Sequence, residues 1–144
     1  MTHVKKEHYQ VFHQPPTVTE FCALRKQAEW GETCPEMARQ SLQNSLYSVC
    51  IRHSQKLLAM GRVVGDGAMY FYIQDVIVDP VYQGQGLGHE IMLNIEQYLQ
   101  TAANKGATIG LMAAQGKTGF YLRYGYIERP SATLGPGMCR FISL

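Results

Sequence analysis

Asp75-Val76-Ile77-Val78-Asp79-Pro80-Val81-Tyr82-Gln83-Gly84-Gln85-Gly86-Leu87-Gly88 is the stretch on which the reading of this chain turns. An apolar, β-branched run empties into a loop with glycine at every second position, and the loop opens an amphipathic segment. Glycines without Cβ let the backbone turn tightly and come close to a ligand. The first turn of the helix that follows offers unpaired N–H groups and the positive end of its dipole. Together these make an anion site suited to phosphate.

On the C-terminal side the period changes to that of a helix. Ile91, Ile95, Tyr98 or Leu99, and Ala102 form one apolar stripe over residues 88–103, and Asn104-Lys105-Gly106 closes it. An apolar strand follows at residues 107–113, then a short helix at 117–124 and two further strands at 126–129 and 138–142. On the N-terminal side, residues 69–78 are a long strand preceded by the hairpin signal Gly65-Asp66-Gly67. Residues 56–64 and 47–52 make two more strands around the turn His53-Ser54-Gln55, so three consecutive strands form an antiparallel meander. Before them lie a helix opening at Pro35 and running to about Ser45, and a helix capped by Thr17 or Thr19 that reaches about Ala28. A short strand occupies residues 8–12. The order is βααβββαβαββ: an α+β chain of one domain, 1–144, whose mainly antiparallel sheet is flanked by helices. The helix after residue 88 serves as a right-handed crossover between parallel strands.

Composition narrows the function. A net charge of +2 on 144 residues gives no reason to expect nucleic acid as a partner. No apolar run approaches the length of a membrane span. Met1-Thr2-His3-Val4-Lys5-Lys6 lacks the apolar stretch of a secretory signal. Cys22, Cys34, Cys50 and Cys139 lie far apart without a metal-ligand spacing, which suits a reducing, cytoplasmic setting and no metal.

Two nucleotide motifs fail on inspection. A dinucleotide fingerprint counted from Gly84 and Gly86 needs a third glycine where His89 stands. Gly116-Lys117-Thr118 ends like a P-loop, but Leu111 stands where its first glycine belongs, and Gly110 is one place too early.

Gln83-Gly84-Gln85-Gly86-Leu87-Gly88 resembles instead the Q/R-x-x-G-x-G/A pyrophosphate loop of the GNAT superfamily of N-acetyltransferases. Phe120-Tyr121-Leu122-Arg123-Tyr124-Gly125-Tyr126 resembles that family's F-Y-x-x-x-G-F segment. The two motifs stand in the family's order and spacing, and the element order agrees over nearly the whole chain. The resemblance implies acetyl-coenzyme A as co-substrate and direct attack of an amine on its thioester. It implies that Gln83, Gly84, Gln85, Gly86, Leu87 and Gly88 hold the pyrophosphate. Val76, Ile77 and Val78 would pair through their backbone with the pantetheine arm. Tyr121 takes the place of the acid beside the departing sulfur. Lys117 stands where many members carry an asparagine that contacts the cofactor, so its part there is that of a charge near a coenzyme phosphate.

The general base is open in this reading. Tyr72 and Asp75 lie on the strand before the loop and point to opposite faces unless a bulge, which the family has there, resets the phase. Glu32 and ordered water are the alternatives. Trp30, Glu32 and Tyr47 are expected to line the acceptor groove. The acceptor is expected to be a small amine, such as an aralkylamine, polyamine or amino sugar; a peptide acceptor and a non-catalytic acyl-coenzyme A sensor are the alternatives. Many relatives pair as dimers, and the C-terminal strand is an edge on which two copies could pair.

Overall fold

A computed structural model describes residues 8–142. They form two compact units, one ending at Gly110 and one beginning at Leu111.

The first unit carries β1 (Gln10–Phe12), α1 (Val18–Gln27), α2 (Pro35–Gln43), β2 (Tyr47–His53), β3 (Lys56–Gly65), β4 (Tyr70–Val78), α3 (Leu87–Ala102) and most of β5 (Thr108–Leu111). The sheet order is β1-β2-β3-β4-β5, with β1 to β4 antiparallel in sequence. The N–H of Thr108 donates to the carbonyl of Met69, and Gly110 lies beside Tyr72, so β5 advances along β4 in the same direction. The expected meander and its parallel crossover through α3 are therefore both present.

Local chemistry explains the boundaries. Thr17 is the cap of α1, in a reciprocal capping box with Glu20. At the other end Glu29 takes a left-handed conformation, φ 63°, and Trp30 N–H returns to the Arg25 carbonyl at 2.9 Å. This closure folds Trp30 back over the last turn of α1. Pro35 opens α2 at a position where no helical N–H is needed. Ser54 and Gln55 both hold positive φ and join β2 to β3 by a two-residue turn.

Helices cover the sheet on both faces. Phe21 and Leu24 of α1 and Ala38 and Leu42 of α2 pack with Cys50, Leu57, Met60 and Ile77. On the opposite face Ile91, Met92, Ile95 and Leu99 of α3 are buried. Val49 and Gly61 are cross-strand partners on that side. Gly61 is the point of closest approach: a Cβ there would stand 2.6 Å from Ile91 Cγ2 and 2.9 Å from Ile95 Cδ1.

The second unit contains α4 (Thr118–Leu122), a turn through Gly125, and a C-terminal segment without strands among the described residues. The strands expected at 126–129 and 138–142 are thus not formed. Pro130 and Pro136 have no ladder N–H to give. The intervening groups close on one another instead: Arg129 Nε donates to the Gly135 carbonyl at 2.6 Å, and Ser131 N–H to the Leu134 carbonyl at 2.9 Å. Ile127, Met138, Phe141 and Ile142 remain exposed.

Gly61→Ala is expected to force α3 off the sheet or Ile91 out of its rotamer, at a cost of about 1–3 kcal/mol. Urea unfolding checks this; an unchanged midpoint would show that α3 seats more loosely than described.

Candidate active site

One inserted residue shapes the centre of the site. Val64 pairs with Tyr72, Val63 with Ile73 and Arg62 with Gln74, whereas the next pair is Met60 with Ile77. Asp75 and Val76 therefore stand together opposite Gly61, a β-bulge. Asp75 supplies the left-handed residue, φ 55°. Before the bulge the even residues, Tyr72 and Gln74, share the α1/α2 face with Arg62. After it the odd residue Ile77 joins that face, and Val76 turns towards α3. The bulge resets the alternation and brings Tyr72 and Asp75 to the same face.

Asp75 is held there by two cations. Arg25 Nη1 donates to Oδ1 at 2.6 Å and Arg62 Nε to Oδ2 at 2.8 Å, with the carboxylate side chain 1% exposed. Gln74 Nε2 also donates to Oδ1 at 3.3 Å. Arg62 spends its other donors on the Ser41 carbonyl, Ser41 Oγ and Ser45 Oγ at the end of α2. That helix end carries partial negative charge, so it favours the cation. Arg25 Nε donates to Thr33 Oγ1 at 3.0 Å, and the guanidinium lies over the rings of Phe21 and Trp30, 5.7 and 5.4 Å from their centroids.

At the end of β4 the chain makes a single 3₁₀ turn, Pro80–Tyr82, in which Asp79 accepts the Val81 N–H at 3.0 Å. Gln83 Nε2 reaches back to the Val78 carbonyl at 3.4 Å. Gly84 and Gly86 then take φ of 78° and 83°, and Gly86 is the N-cap of α3. The first intrahelical bond runs from Glu90 N–H to the Gly86 carbonyl. The amides of Leu87 and Gly88 precede it and have no acceptor within the helix. Nothing lies within 4 Å of the place a Gly86 Cβ would occupy, so the backbone faces open space. Backbone donors, a helix dipole and room beside them fit a pyrophosphate.

The expected acceptor residues are not brought together. Trp30 packs on the α1/α2 face. Glu32 is exposed and pairs with Lys26 Nζ at 3.3 Å. Tyr47 pairs with Val63 and stacks on Tyr98 of α3, ring centroids 4.6 Å apart, with its hydroxyl 2.7 Å from His13 Nδ1. The sheet separates it from Trp30. The reason is strand alternation: Tyr47 shares the parity of Val49.

In the second unit Lys117 precedes α4 and is exposed, and Tyr121 is half-buried, edge-on to Phe120 at 5.0 Å. Burial pushes the Tyr121 phenol up to about 12, with Tyr124 adding to the rise.

Arg25 and Arg62 were not among the expected site residues. The available signal was Arg62 itself, a lone charge inside the apolar run Leu57–Val64 that required a buried anion.

The chain matches the model of the acetyltransferase (GNAT) domain over residues 15–141. An uncharacterised N-acetyltransferase of Prochlorococcus marinus is 32% identical over 127 residues, which cover 83% of this chain and 69% of that protein. A serotonin N-acetyltransferase of rice, chloroplastic, is 34% identical over 84 residues, 58% of this chain and 40% of that one. Among solved structures, a probable acetyltransferase from meticillin-resistant Staphylococcus aureus is 31% identical, with a TM-score of 0.85 over 93% of this chain and 99% of that one. The glycine loop, the bulged strand before it and these likenesses converge: the chain belongs to the GNAT family of acetyltransferases and is an acyltransferase of the N-acetyltransferase class.

Proposed function

We propose that this chain transfers the acetyl group of acetyl-coenzyme A to the primary amine of a small molecule, by direct attack in a ternary complex. The observation that carries this reading is the open left-handed cap at Gly86, which turns bare backbone amides outward where β4 delivers the chain to α3. Gln83 to Gly88 would hold the pyrophosphate, and the backbone of Val76, Ile77 and Val78 the pantetheine arm. Acetyl-coenzyme A supplies an activated thioester. In this proposal Lys117 would act as a charge for a coenzyme phosphate, and Tyr121 as the acid that protonates the departing thiolate. We take both units as parts of one catalytic domain, working in the cytoplasm as a monomer or homodimer.

Asp75 is a poor base in this scheme. Both its oxygens accept from guanidinium groups and its side chain is 1% exposed, so the carboxylate is committed to the two arginines and is not open to an incoming amine. We assign it a structural part, and place proton removal with water beside Tyr72, half-buried on the same face. A small amine as acceptor is supported by the rice relative, named for serotonin. The peptide and sensor readings become outcomes of the tests below.

Acetyl-coenzyme A at about a hundred times its dissociation constant should stabilise the fold by ~2.7 kcal/mol in thermal unfolding, whereas NADH and ATP should not. A shift with a control nucleotide alone would overturn the assignment of the loop. Thiol release with small amines, but not with a peptide amine, is expected to follow.

Tyr121→Phe should lower kcat by about a hundredfold, in the range of general-acid effects, without weakening acetyl-coenzyme A binding. Unchanged turnover would remove Tyr121 from the chemistry, and binding without any thiol release in the native chain would favour the sensor.

The phenol also has a pH signature. Its pKa rises from 10.0 in the unfolded chain to about 12 when folded, so the neutral form is the one the fold favours. The contribution is complete below pH 10 and is lost as pH rises through about 12. Burial pushes Tyr47 up to about 12 as well, so ultraviolet titration should show two phenols that ionise near 12, of which Tyr121→Phe removes one.

A further inference from the structure

We propose that Arg25 is the anchor for an anionic group, a carboxylate or a phosphate, carried by the acceptor amine. The inference rests on the acetyl-transfer reading above and names the substrate class of that same site.

The charge balance around the bulge is the first observation. Two guanidinium groups, Arg25 and Arg62, converge on the single carboxylate of Asp75. The other groups that face Arg25 are neutral: Phe21 and Trp30 by their rings, Thr33 by its hydroxyl and Gln74 by its amide at the shared Oδ1. Glu20 is committed to Arg52, and Glu32 to Lys26. One positive charge is left over.

The second observation decides which arginine carries it. Arg62 is 7% exposed and its donors end on Asp75 and the last turn of α2. Arg25 is 22% exposed, and its Nη2 donates to no protein atom among the described residues. Its plane is fixed by Asp75 on one edge, Thr33 at Nε and aromatic rings alongside. A guanidinium held in this way has lost its rotamer freedom before any ligand arrives, so its free edge binds without further ordering cost. A carboxylate or phosphate at that edge would gain a charge-assisted bond to the guanidinium.

The third observation is place. Gln74 and Arg25 meet on the same oxygen of Asp75, and Gln74 and Tyr72 are the half-buried side chains of β4 on the α1/α2 face, just before the bulge. Val76 to Val78, just after it, are the residues read as the pantetheine strand. Arg25 therefore lies on the face of Tyr72 and Gln74, beside the part of β4 that precedes the residues read as the pantetheine strand, and that is where we place the acceptor.

The test uses the full chain saturated with coenzyme A, titrated by calorimetry with matched amines that differ only in a remote anionic group. Para-(aminomethyl)benzoate is set against para-(aminomethyl)benzamide, and an aminoalkyl phosphate against its parent amino alcohol. The anionic member of at least one pair should bind about tenfold more tightly, and the preferred pair separates carboxylate from phosphate. Arg25→Gln should erase that preference, read as the ratio of the two affinities within each pair; Arg25→Lys should keep part of it. Equal binding within both pairs, no binding by any anionic member, or a preference that survives Arg25→Gln overturns the proposal. Should Arg25→Gln fail to fold, the native pair comparison and Arg25→Lys carry the test alone. A chain that does not bind coenzyme A in the first titration refutes the acetyl-transfer reading instead, and the two failures are told apart at that step.

Discussion

One inserted residue in β4 governs the geometry on both sides of the sheet. Were the strand regular through Asp75, it would alternate in a single phase from Tyr70 to Val78, and Ile77 would lie under α3 rather than beside Met60. With the bulge, the first half of β4 offers Tyr72 and Gln74 to the α1/α2 face, and the second half offers Ile77. A left-handed aspartate in a strand carries a conformational cost on the order of a kilocalorie per mole or more. It persists because Arg25 and Arg62 bind both carboxylate oxygens in that position alone.

Gly61 is the counterpart of the bulge across the strand. Two residues of β4 face one of β3, and the one they face has no side chain, so Ile91 and Ile95 can settle into the gap. The seat of α3 thus depends on the same irregularity as the phase of β4. Because Gly86 caps α3, the direction in which the loop's amides point is set by how α3 lies on Gly61. Packing on one face and polar pinning on the other fix a single arrangement of strand, loop and helix.

Much of this was legible in the residues. The meander, the Thr17 cap, the helix opening at Pro35, the glycine loop and α3 each carry a local signal, and local signals survive folding. The glycine loop in particular needs only its own residues to be recognised. What could not be read was pairing at a distance. Arg25 and Asp75 are fifty positions apart, and neither the bulge nor its partner leaves a periodic trace. The position of Tyr47 against Tyr98 of α3 was hidden for a similar reason: its face depends on the register of β2 against β3. The segments at 126–129 and 138–142 have strand-like composition, but a strand exists only where a neighbour accepts its ladder. Between the two segments Arg129 and Ser131 bond locally, to the Gly135 and Leu134 carbonyls.

The double arginine at Asp75 asks for more than stability. A buried ion pair is often matched in stability by apolar residues of the same volume, since desolvation offsets most of the Coulomb gain. One arginine would neutralise the carboxylate, and Arg62, satisfied by α2 as well, is the one that completes a closed network. Arg25 adds a second charge and binds only in part. A purely structural network would be expected to end with its donors used, as Arg62 does. One that stops at a fixed, half-solvated guanidinium edge has the form of a site, with Asp75 holding the cation in place and keeping the local excess at a single charge.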